Sequence, residues 1–303
     1  MNENLQGWIN LYKPKGISSF SAIYKVKKKF NLKKIGHAGT LDPNAEGILP
    51  IAVNKATKLI PFINSNLKEY YFKIKWGHQT STDDAEGEII KFSSKIPSDE
   101  NILKIIDNFV GNISQVPPKA SAININGKRA YALLRDKKKF DINEKKVFLK
   151  NIKFLGSKNN TSAFFIECGK GFYVRSLARD LAHKLDAFGH ATEIKRTKVG
   201  NFSSKSSILL DDLSKIGQSE PGFNFIYSSI SMLDDILAYE VEKESDLIDL
   251  SLGKQIFINN EKLIKQVLSS DKKTLVFLSN KGNIVSSFGE LAGDLFQPHK
   301  VLT

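Results

Sequence analysis

The sequence predicts an α+β fold with a mixed, largely antiparallel sheet flanked by helices, followed by a small β-rich domain. Helix-like and strand-like segments follow one another without the regular strand-helix-strand repeat that builds a parallel sheet. With 303 residues the chain is longer than a usual single domain. Its character changes near residue 236, where short strand-like runs separated by turns begin. We therefore expect a large domain over residues 1–235 and a small one over residues 236–303.

The first elements of the large domain are predicted from capping residues and apolar spacing. Ser18 and Ser19 can cap a helix over about residues 20–30. Residues 69–76 alternate between apolar and polar side chains, with Tyr70 on the apolar side. This alternation is typical of a half-buried strand.

Two further helices and several short strands complete the prediction. Ser98 can cap an amphipathic helix that Gly111 ends. A strand ending near Cys168 leads into a helix from about Tyr173 to Leu185. The short strands predicted in the C-terminal part are residues 252–257, 274–278, 282–286 and 288–291.

The chain is strongly basic, and its charge is unevenly distributed. It carries 45 Lys and Arg residues against 32 Asp and Glu residues, a net charge of +13. Residues 231–303 are slightly acidic, so the basic excess lies in the first 230 residues. Lysines crowd the predicted helix 20–30, and a second basic stretch covers residues 135–146. This distribution favours a polyanion such as RNA as the partner, and a solvated lysine-rich helix is the alternative.

Several function classes lack the residues that they need. One cysteine, Cys168, cannot form an intramolecular disulfide or a cysteine cluster for zinc, and the five histidines show no metal-ligand spacing. The segment Gly169-Lys170-Gly171 lacks the spacing of a nucleotide-binding loop. No stretch resembles a signal peptide or a membrane span, and none suggests a dimer seam. We expect no metal, no cofactor and no membrane partner, and a soluble cytoplasmic monomer.

The most informative segment is Gly36-His37-Ala38-Gly39-Thr40-Leu41-Asp42-Pro43. Glycines permit tight turns and the close approach of another molecule, and Pro43 disfavours helix at the residue before it. Asp42 is therefore expected in a loop, as a carboxylate with no metal-ligand partner nearby in sequence. This setting suggests a nucleophile. A turn in which Asp42 caps a backbone N–H is the alternative.

The segment resembles the catalytic motif of the TruB family, the bacterial tRNA pseudouridine synthases that act on uridine 55 in the T-loop. The resemblance covers nearly the whole chain as a series of blocks in family order. The other blocks are Leu11-Tyr12-Lys13-Pro14-Lys15-Gly16, Lys68-Glu69-Tyr70, Thr80-Ser81-Thr82-Asp83-Asp84-Ala85-Glu86-Gly87, Gln115-Val116-Pro117-Pro118, Gly127-Lys128 with Tyr131 and Arg135, and Gly169-Lys170-Gly171-Phe172-Tyr173-Val174-Arg175.

The resemblance implies three catalytic residues. Asp42 is the implied nucleophile, and Arg175 matches the arginine that pairs with it and keeps it ionised. An ion pair between Arg175 and Asp180 on the helix surface is the alternative. Tyr70 matches a tyrosine at the flipped base, where a phenol can relay a proton. From its strand position alone, Tyr70 could equally be a core residue.

Four further residues are predicted to bind the substrate on the same resemblance. Tyr173 matches the second tyrosine at the flipped base. His37 matches a histidine that fills the space left by the flipped nucleotide, and Ile194 matches a leucine that closes the pocket. Lys13 lies in the opening motif and is the fourth.

The implied reaction is the isomerisation of uridine 55 to pseudouridine in the T-arm of tRNA. The N1–C1′ bond is cut, the uracil turns within the site, and C5 is joined to C1′. Asp42 would act as nucleophile or base at the ribose, or add to C6 of the ring. The reaction involves no redox change and no hydrolysis. The C-terminal residues resemble a PUA-type module, which would be an auxiliary RNA contact or a structural cap.

Two departures from the family pattern and three alternative functions accompany this interpretation. Ser81 replaces the first acid of the family's Thr-Asp-Thr-x-Asp, and Glu193 stands where a larger apolar residue is common. The first alternative is a non-catalytic RNA-binding or tRNA-folding protein. The second is a carboxylate enzyme acting on sugars, although glycoside hydrolases usually need two flanking carboxylates. The third is a guide-RNA-dependent relative of the same superfamily.

Overall fold

The computed structural model describes residues 5–63, 67–216, 225–233, 236–268, 274–280 and 284–302, which form twenty β-strands and seven α-helices. No helix among these residues is long and apolar enough to cross a membrane. The strands are β1 (Gly7–Lys13), β2 (Ile35–His37), β3 (Glu46–Val53), β4 (Lys68–Trp76), β5 (His78–Thr80), β6 (Ile89–Phe92), β7 (Gly111–Gln115), β8 (Asn124–Ile125), β9 (Lys128–Arg129), β10 (Lys145–Lys158), β11 (Thr161–Cys168), β12 (Gly189–Val199), β13 (Phe202–Ser203), β14 (Ile208–Leu209), β15 (Ile226–Tyr227), β16 (Leu237–Glu240), β17 (Ile256–Phe257), β18 (Thr274–Asn280), β19 (Ile284–Ala292) and β20 (Leu295–Val301). The helices are α1 (Ser19–Lys29), α2 (Asp99–Ile106), α3 (Ala130–Arg135), α4 (Val174–Lys184), α5 (Leu210–Lys215), α6 (Glu244–Ser251) and α7 (Glu261–Leu268).

Eleven strands form the main sheet, with the order β14-β1-β3-β12-β4-β11-β10-β7 along its length. Three short strands are attached beside this path, since β13 pairs with β12, β15 with β1 and β2 with β3. Two of the pairings are parallel, β1 with β14 and β3 with β12, and the others are antiparallel. The predicted mixed, largely antiparallel sheet is confirmed.

Strand β4 at the centre of this sheet has the predicted alternation. Tyr70, Phe72, Ile74 and Trp76 are buried, and the side chains between them are partly exposed. The antiparallel register with β12 places Tyr70 opposite Arg196. This pairing positions two groups of the site described below.

Helices α1, α2, α4 and α5 contribute apolar side chains to the larger core, which they form with the main sheet. Helix α1 begins after Ser18, whose Oγ accepts a hydrogen bond from the N–H of Ser21, so the predicted cap is confirmed. The predicted end of the second helix is wrong. Helix α2 ends at Ile106, and a 3₁₀ turn follows. Gly111 instead begins β7 with φ of +101°, a conformation that favours glycine.

The C-terminal residues form a separate five-stranded sheet in the order β16-β18-β19-β20-β17. The β-rich character is confirmed, but helices α6 and α7 were not predicted. The strand predicted at 252–257 is reduced to β17, because its first residues belong to the turn that ends α6. Residues 282 and 283 of another predicted strand lie outside the described residues.

The two sheets share a second, smaller core. It combines residues of β1 and β3 with Phe277, Phe288 and Leu302 of the C-terminal part. The rings of Phe62 and Phe288 have centroids 3.8 Å apart, and Lys58 Nζ donates to the carbonyl oxygen of Val301 at 2.7 Å. The division into domains at residues 235 and 236 stays a prediction.

Candidate active site

Asp42 lies in the loop that joins β2 to β3, and the residues on either side of it are held in place. Ser19 Oγ accepts a hydrogen bond from the N–H of Leu41 and donates one to its carbonyl oxygen, both at 2.8 Å. The N–H of Gly16 donates to the carbonyl oxygen of Pro43 at 2.9 Å. Helix α1 and the chain just before it therefore fix the backbone around the carboxylate.

Lys13 holds the same loop. Its side chain is fully buried, and its ammonium donates to the carbonyl oxygens of Pro14 at 2.9 Å, Ile17 at 2.8 Å and Pro43 at 3.3 Å. Burial lowers the pKa of Lys13 to about 8. These three bonds occupy all three N–H groups of the ammonium. In this structure Lys13 thus positions the loop after Asp42, and its predicted role in substrate binding stays a prediction.

Arg196 holds the loop from the other side, and sequence reasoning missed it. Its side chain is 1% exposed. Nε donates to the carbonyl oxygen of Ile48 at 2.7 Å, Nη2 to that of Gly39 at 3.0 Å and Nη1 to that of Thr40 at 3.4 Å. The sequence feature that could have indicated its burial is its spacing of two residues from the apolar Ile194. Side chains at this spacing share one face of a strand.

The carboxylate of Asp42 faces Arg175, the residue that the family resemblance implied. Arg175 Nε lies 2.9 Å from Asp42 Oδ2, and the side chains are 4% and 38% exposed, respectively. The arginine is thus buried behind a carboxylate that remains accessible. Arg175 does not pair with Asp180, whose carboxylate contacts Arg179 instead. The alternative of a surface ion pair is therefore wrong.

A second carboxylate and two carbonyl groups orient Arg175. Its Nη1 donates to Asp84 Oδ2 at 3.1 Å and to the carbonyl oxygen of Thr82 at 3.0 Å, and Nη2 donates to that of Ala120 at 2.9 Å. Asp84 is itself fixed, because its Oδ1 accepts bonds from Thr82 Oγ1 at 2.6 Å and from the N–H of Glu86 at 3.0 Å. The geometry of this turn leaves Nε of the arginine to face the loop that carries Asp42.

Three charged neighbours act on the titration of Asp42. Although the side chain stays 38% exposed, desolvation by the residues packed around it raises the pKa of Asp42 above its usual 3.8. The Arg175 guanidinium opposes this rise, the Asp84 carboxylate adds to it, and Lys13 opposes it. A carboxylate with a raised pKa is more basic once it is ionised, which suits a nucleophile or base.

The two predicted tyrosines lie in different environments. Tyr70 is buried, and Nη1 of Arg196 donates to its hydroxyl oxygen at 3.4 Å. Burial raises the pKa of Tyr70, and the Arg196 guanidinium opposes this rise. Tyr173 caps α4 and is half-buried; burial and the charge of Asp42 raise its pKa. Its backbone is held by Gln115, whose side-chain amide bonds both the N–H and the carbonyl oxygen of Tyr173.

The structure places the last two predicted residues at the margins of this cluster. His37 ends β2, and its buried Nδ1 has no hydrogen-bond partner in the described part of the chain. Burial and the nearby Arg196 charge lower the pKa of His37, which favours the neutral ring. Ile194 packs against the larger core and lines an open groove of about 880 Å³ beside the loop, together with Asn44. Asp42 does not line this groove.

The two departures from the family pattern lie away from the ion pair. Glu193 projects from β12 and pairs with Lys73 of the neighbouring strand at 2.8 Å, where both side chains are partly exposed. Ser81 donates its N–H to the carbonyl oxygen of Glu88 at 2.9 Å. Neither residue contacts Asp42 in the interactions described above.

The site therefore combines an accessible carboxylate, a buried cation beside it and a buried phenol. No group of three or more His, Cys, Asp or Glu side chains that could hold a metal ion occurs among the described residues. The arrangement can present Asp42 to an electrophilic carbon, and the Tyr70 hydroxyl can exchange a proton with a bound group.

The architecture is similar to that of solved structures. A chain in the crystal structure of a Cbf5-Nop10-Gar1 complex matches with a TM-score of 0.71 and 22% identity, covering 98% of this chain and 85% of that one. A chain in the structure of an H/ACA RNP bound to a substrate RNA containing 2′-deoxyuridine matches with the same TM-score and coverage at 21% identity. At these identities the likeness concerns the fold. These features place the chain in the class of proteins with a pseudouridine synthase fold.

The comparison of sequences identifies the family. Residues 27–174 match the model of the TruB family pseudouridylate synthase (N terminal domain). A tRNA pseudouridine synthase B of Ehrlichia ruminantium is 43% identical over 270 residues, which cover 86% of this chain and 89% of that protein. One of Anaplasma marginale is 40% identical over 299 residues, covering 97% and 96%. The chain belongs to the TruB family.

Proposed function

We propose that this protein is a tRNA pseudouridine synthase that converts uridine 55 in the T-loop of tRNA to pseudouridine. The observation that carries the proposal is the accessible Asp42 carboxylate 2.9 Å from the buried Arg175, in a chain of the TruB family. Relatives at 40% and 43% identity that span most of the chain are named tRNA pseudouridine synthase B, which supports a tRNA substrate. The strongly basic first 230 residues suit an RNA substrate.

The proposed reaction begins with the target nucleotide flipped out of the RNA, so that its uracil reaches Asp42. The carboxylate acts on the ribose or adds to C6 of the ring while the N1–C1′ bond breaks. The uracil then turns, C5 is joined to C1′ as the bond to the carboxylate breaks, the proton on C5 is lost, and N1 takes up a proton. The Tyr70 hydroxyl is the proposed relay for that proton, and Tyr173 lies against the base. The atoms of uridine are conserved, and no other reactant is consumed.

The choice of tRNA over a guide-RNA-dependent substrate rests on the difference in identity between the two groups of similar proteins. The proteins named tRNA pseudouridine synthase B share 40–43% of their residues with this chain in the two alignments described above. The chains from ribonucleoprotein complexes share 21–22%. We infer that the protein acts without a guide RNA, as a monomer, and that the PUA-like C-terminal sheet adds an auxiliary RNA contact.

The experiment that tests the proposal measures tritium release from [5-³H]uridine-labelled, unmodified tRNA. Wild-type protein is compared with Asp42→Asn, which keeps the shape of the side chain and removes its charge. Asp180→Asn is the matched control, because Asp180 pairs with Arg179 and not with Arg175. We expect release by wild type and Asp180→Asn, mapped to the T-loop uridine. Asp42→Asn should lose about 10⁴-fold or more in rate and keep RNA affinity within about five-fold.

Two outcomes contradict the proposal in different ways. Tight tRNA binding without release by wild-type protein would favour a non-catalytic RNA-binding protein. Loss of binding in parallel with loss of turnover in Asp42→Asn would make Asp42 a structural residue of the loop.

A further inference from the structure

Helix α1 exposes two aromatic side chains that no part of the described chain covers. Phe20 is 71% exposed and Tyr24 is 57% exposed. Their rings are stacked on each other, with centroids 6.2 Å apart and planes 18° apart. The pair therefore presents a continuous aromatic surface to solvent.

The position of this pair on the helix is determined by the core. Ala22, Ile23 and Val26 are buried against the main sheet. Phe20 and Tyr24 are four residues apart and so lie on one stripe of the opposite side. The stripe continues one turn further to an exposed lysine, Lys28. Aromatic faces and a cation thus share the solvent side of α1.

The charge around the pair indicates what kind of partner fits it. Helix α1 contains four lysines and no acidic residue. A stacked aromatic surface beside several cations suits nucleic acid, because bases stack on aromatic rings and phosphates pair with lysines. An acidic protein surface would satisfy the lysines, but it would not require flat aromatic faces.

The helix that carries the pair also contacts the loop of Asp42, through the buried Ser19. Ser19, the residue before Phe20, bonds both the N–H and the carbonyl oxygen of Leu41 at 2.8 Å. Leu41 precedes Asp42 in the loop. An RNA whose uridine reaches Asp42 therefore passes near the first turn of α1.

We propose that Phe20 and Tyr24 form a stacking platform for an unpaired nucleobase of the substrate RNA, outside the pocket of the target uridine. Lys28 contacts a phosphate of the same strand. The proposal rests on the proposed function for the identity of the RNA. It assigns the platform to binding and not to the chemical step.

The test measures equilibrium binding of unmodified tRNA and single-turnover pseudouridine formation for Phe20→Ala/Tyr24→Ala. Both residues are exposed on a helix, where alanine is favourable, so the variant should fold. Stacking is worth about 1–3 kcal/mol per base, so we expect Kd to rise about 5- to 150-fold. The single-turnover rate at saturating enzyme should stay within about two-fold. Phe92→Ala, with a phenylalanine that is 66% exposed but lies in β6, is the matched control.

Two further variants separate stacking from other contacts. Phe20→Leu/Tyr24→Leu keeps apolar surface but removes the aromatic faces, and it should bind as weakly as the alanine variant. Phe20→Trp/Tyr24→Phe should bind like wild type. Lys28→Ala should reduce the dependence of log Kd on log salt concentration by about one phosphate contact, whereas the aromatic variants should leave that slope unchanged.

The outcomes are distinguishable from failure of the proposed function. Wild-type protein that binds tRNA without making pseudouridine contradicts the proposed function, and the binding series still decides the platform. Unchanged Kd in the alanine variant overturns the platform, and so does full binding by the leucine variant, which would indicate an apolar contact. An equal loss of affinity in Phe92→Ala would also overturn it, because the effect would not be specific to α1.

Discussion

The two buried arginines of the site, Arg175 and Arg196, differ in what surrounds their charges. Arg175 contacts the carboxylates of Asp42 and Asp84, so its charge is compensated on both sides. The described hydrogen bonds of Arg196 go to three backbone carbonyls and the Tyr70 hydroxyl. One arginine is placed to control the ionisation of Asp42. The other is placed to control the shape of the loop that carries it.

This difference shows that two buried arginines can have separate roles within one small site. An ion pair between buried groups costs desolvation energy, and removing one partner leaves an uncompensated charge. A guanidinium bonded to carbonyls works through its fixed fork of donors, which a single backbone bond could not replace. Substitutions at the two positions should therefore fail in different ways.

The largest effect is expected for Arg175→Met. It leaves the Asp42 and Asp84 carboxylates close together without a cation, which should destabilise the fold by about 3–5 kcal/mol. Turnover should fall about 10³-fold or more, because loss of the cation raises the pKa of Asp42 further. Denaturant unfolding and single-turnover kinetics measure the two effects. Arg179→Met, which removes an arginine paired with Asp83 and Asp180, is the control. Equal losses of stability and turnover in both variants would contradict a role that is specific to Arg175.

The next effect is expected for Arg196→Met. Three loop and strand carbonyls lose their donor, which should cost about 1–3 kcal/mol in stability. Turnover should fall about 10²-fold, because small displacements of a catalytic group have effects of this size. Arg196→Lys should recover only part of the rate, since an ammonium cannot reproduce the planar fork. If the acid limb of the pH–rate profile shifts in Arg196→Met as much as it does in an Asp84 variant, the role of Arg196 is not purely geometric.

The smallest effect on turnover is expected for Asp84→Asn, and the pH dependence of its rate distinguishes it from the arginine variants. The Asp84 charge raises the pKa of Asp42, so removing it should lower that pKa. Since the reaction needs ionised Asp42, the acid limb of kcat should move to lower pH in Asp84→Asn and to higher pH in Arg175→Met. At neutral pH the rate should change only several-fold. An acid limb that stays in place in Asp84→Asn would show that Asp84 serves only to orient the arginine.

Much of the fold followed from local patterns. The Ser18 cap and the alternation in β4 depend on residues close together in sequence. The largely antiparallel character of the sheet was predicted from the irregular order of helices and strands along the chain. The helices α6 and α7 lie in residues between the predicted strands, for which no element was predicted. Gly111 was misassigned because a glycine after a helix can end it or begin the next strand.

The sequence by itself determined the composition of the loop that carries Asp42, the position of Asp42 in it and the basic character of the first 230 residues. Only the tertiary structure decided that Lys13 holds the loop and that Arg196 contacts Gly39, a residue 157 positions earlier in the chain. Such contacts depend on which strands are neighbours and on their register. Neither is specified by the local pattern of side chains, so the partners of a buried charge emerge only when the sheet is assembled.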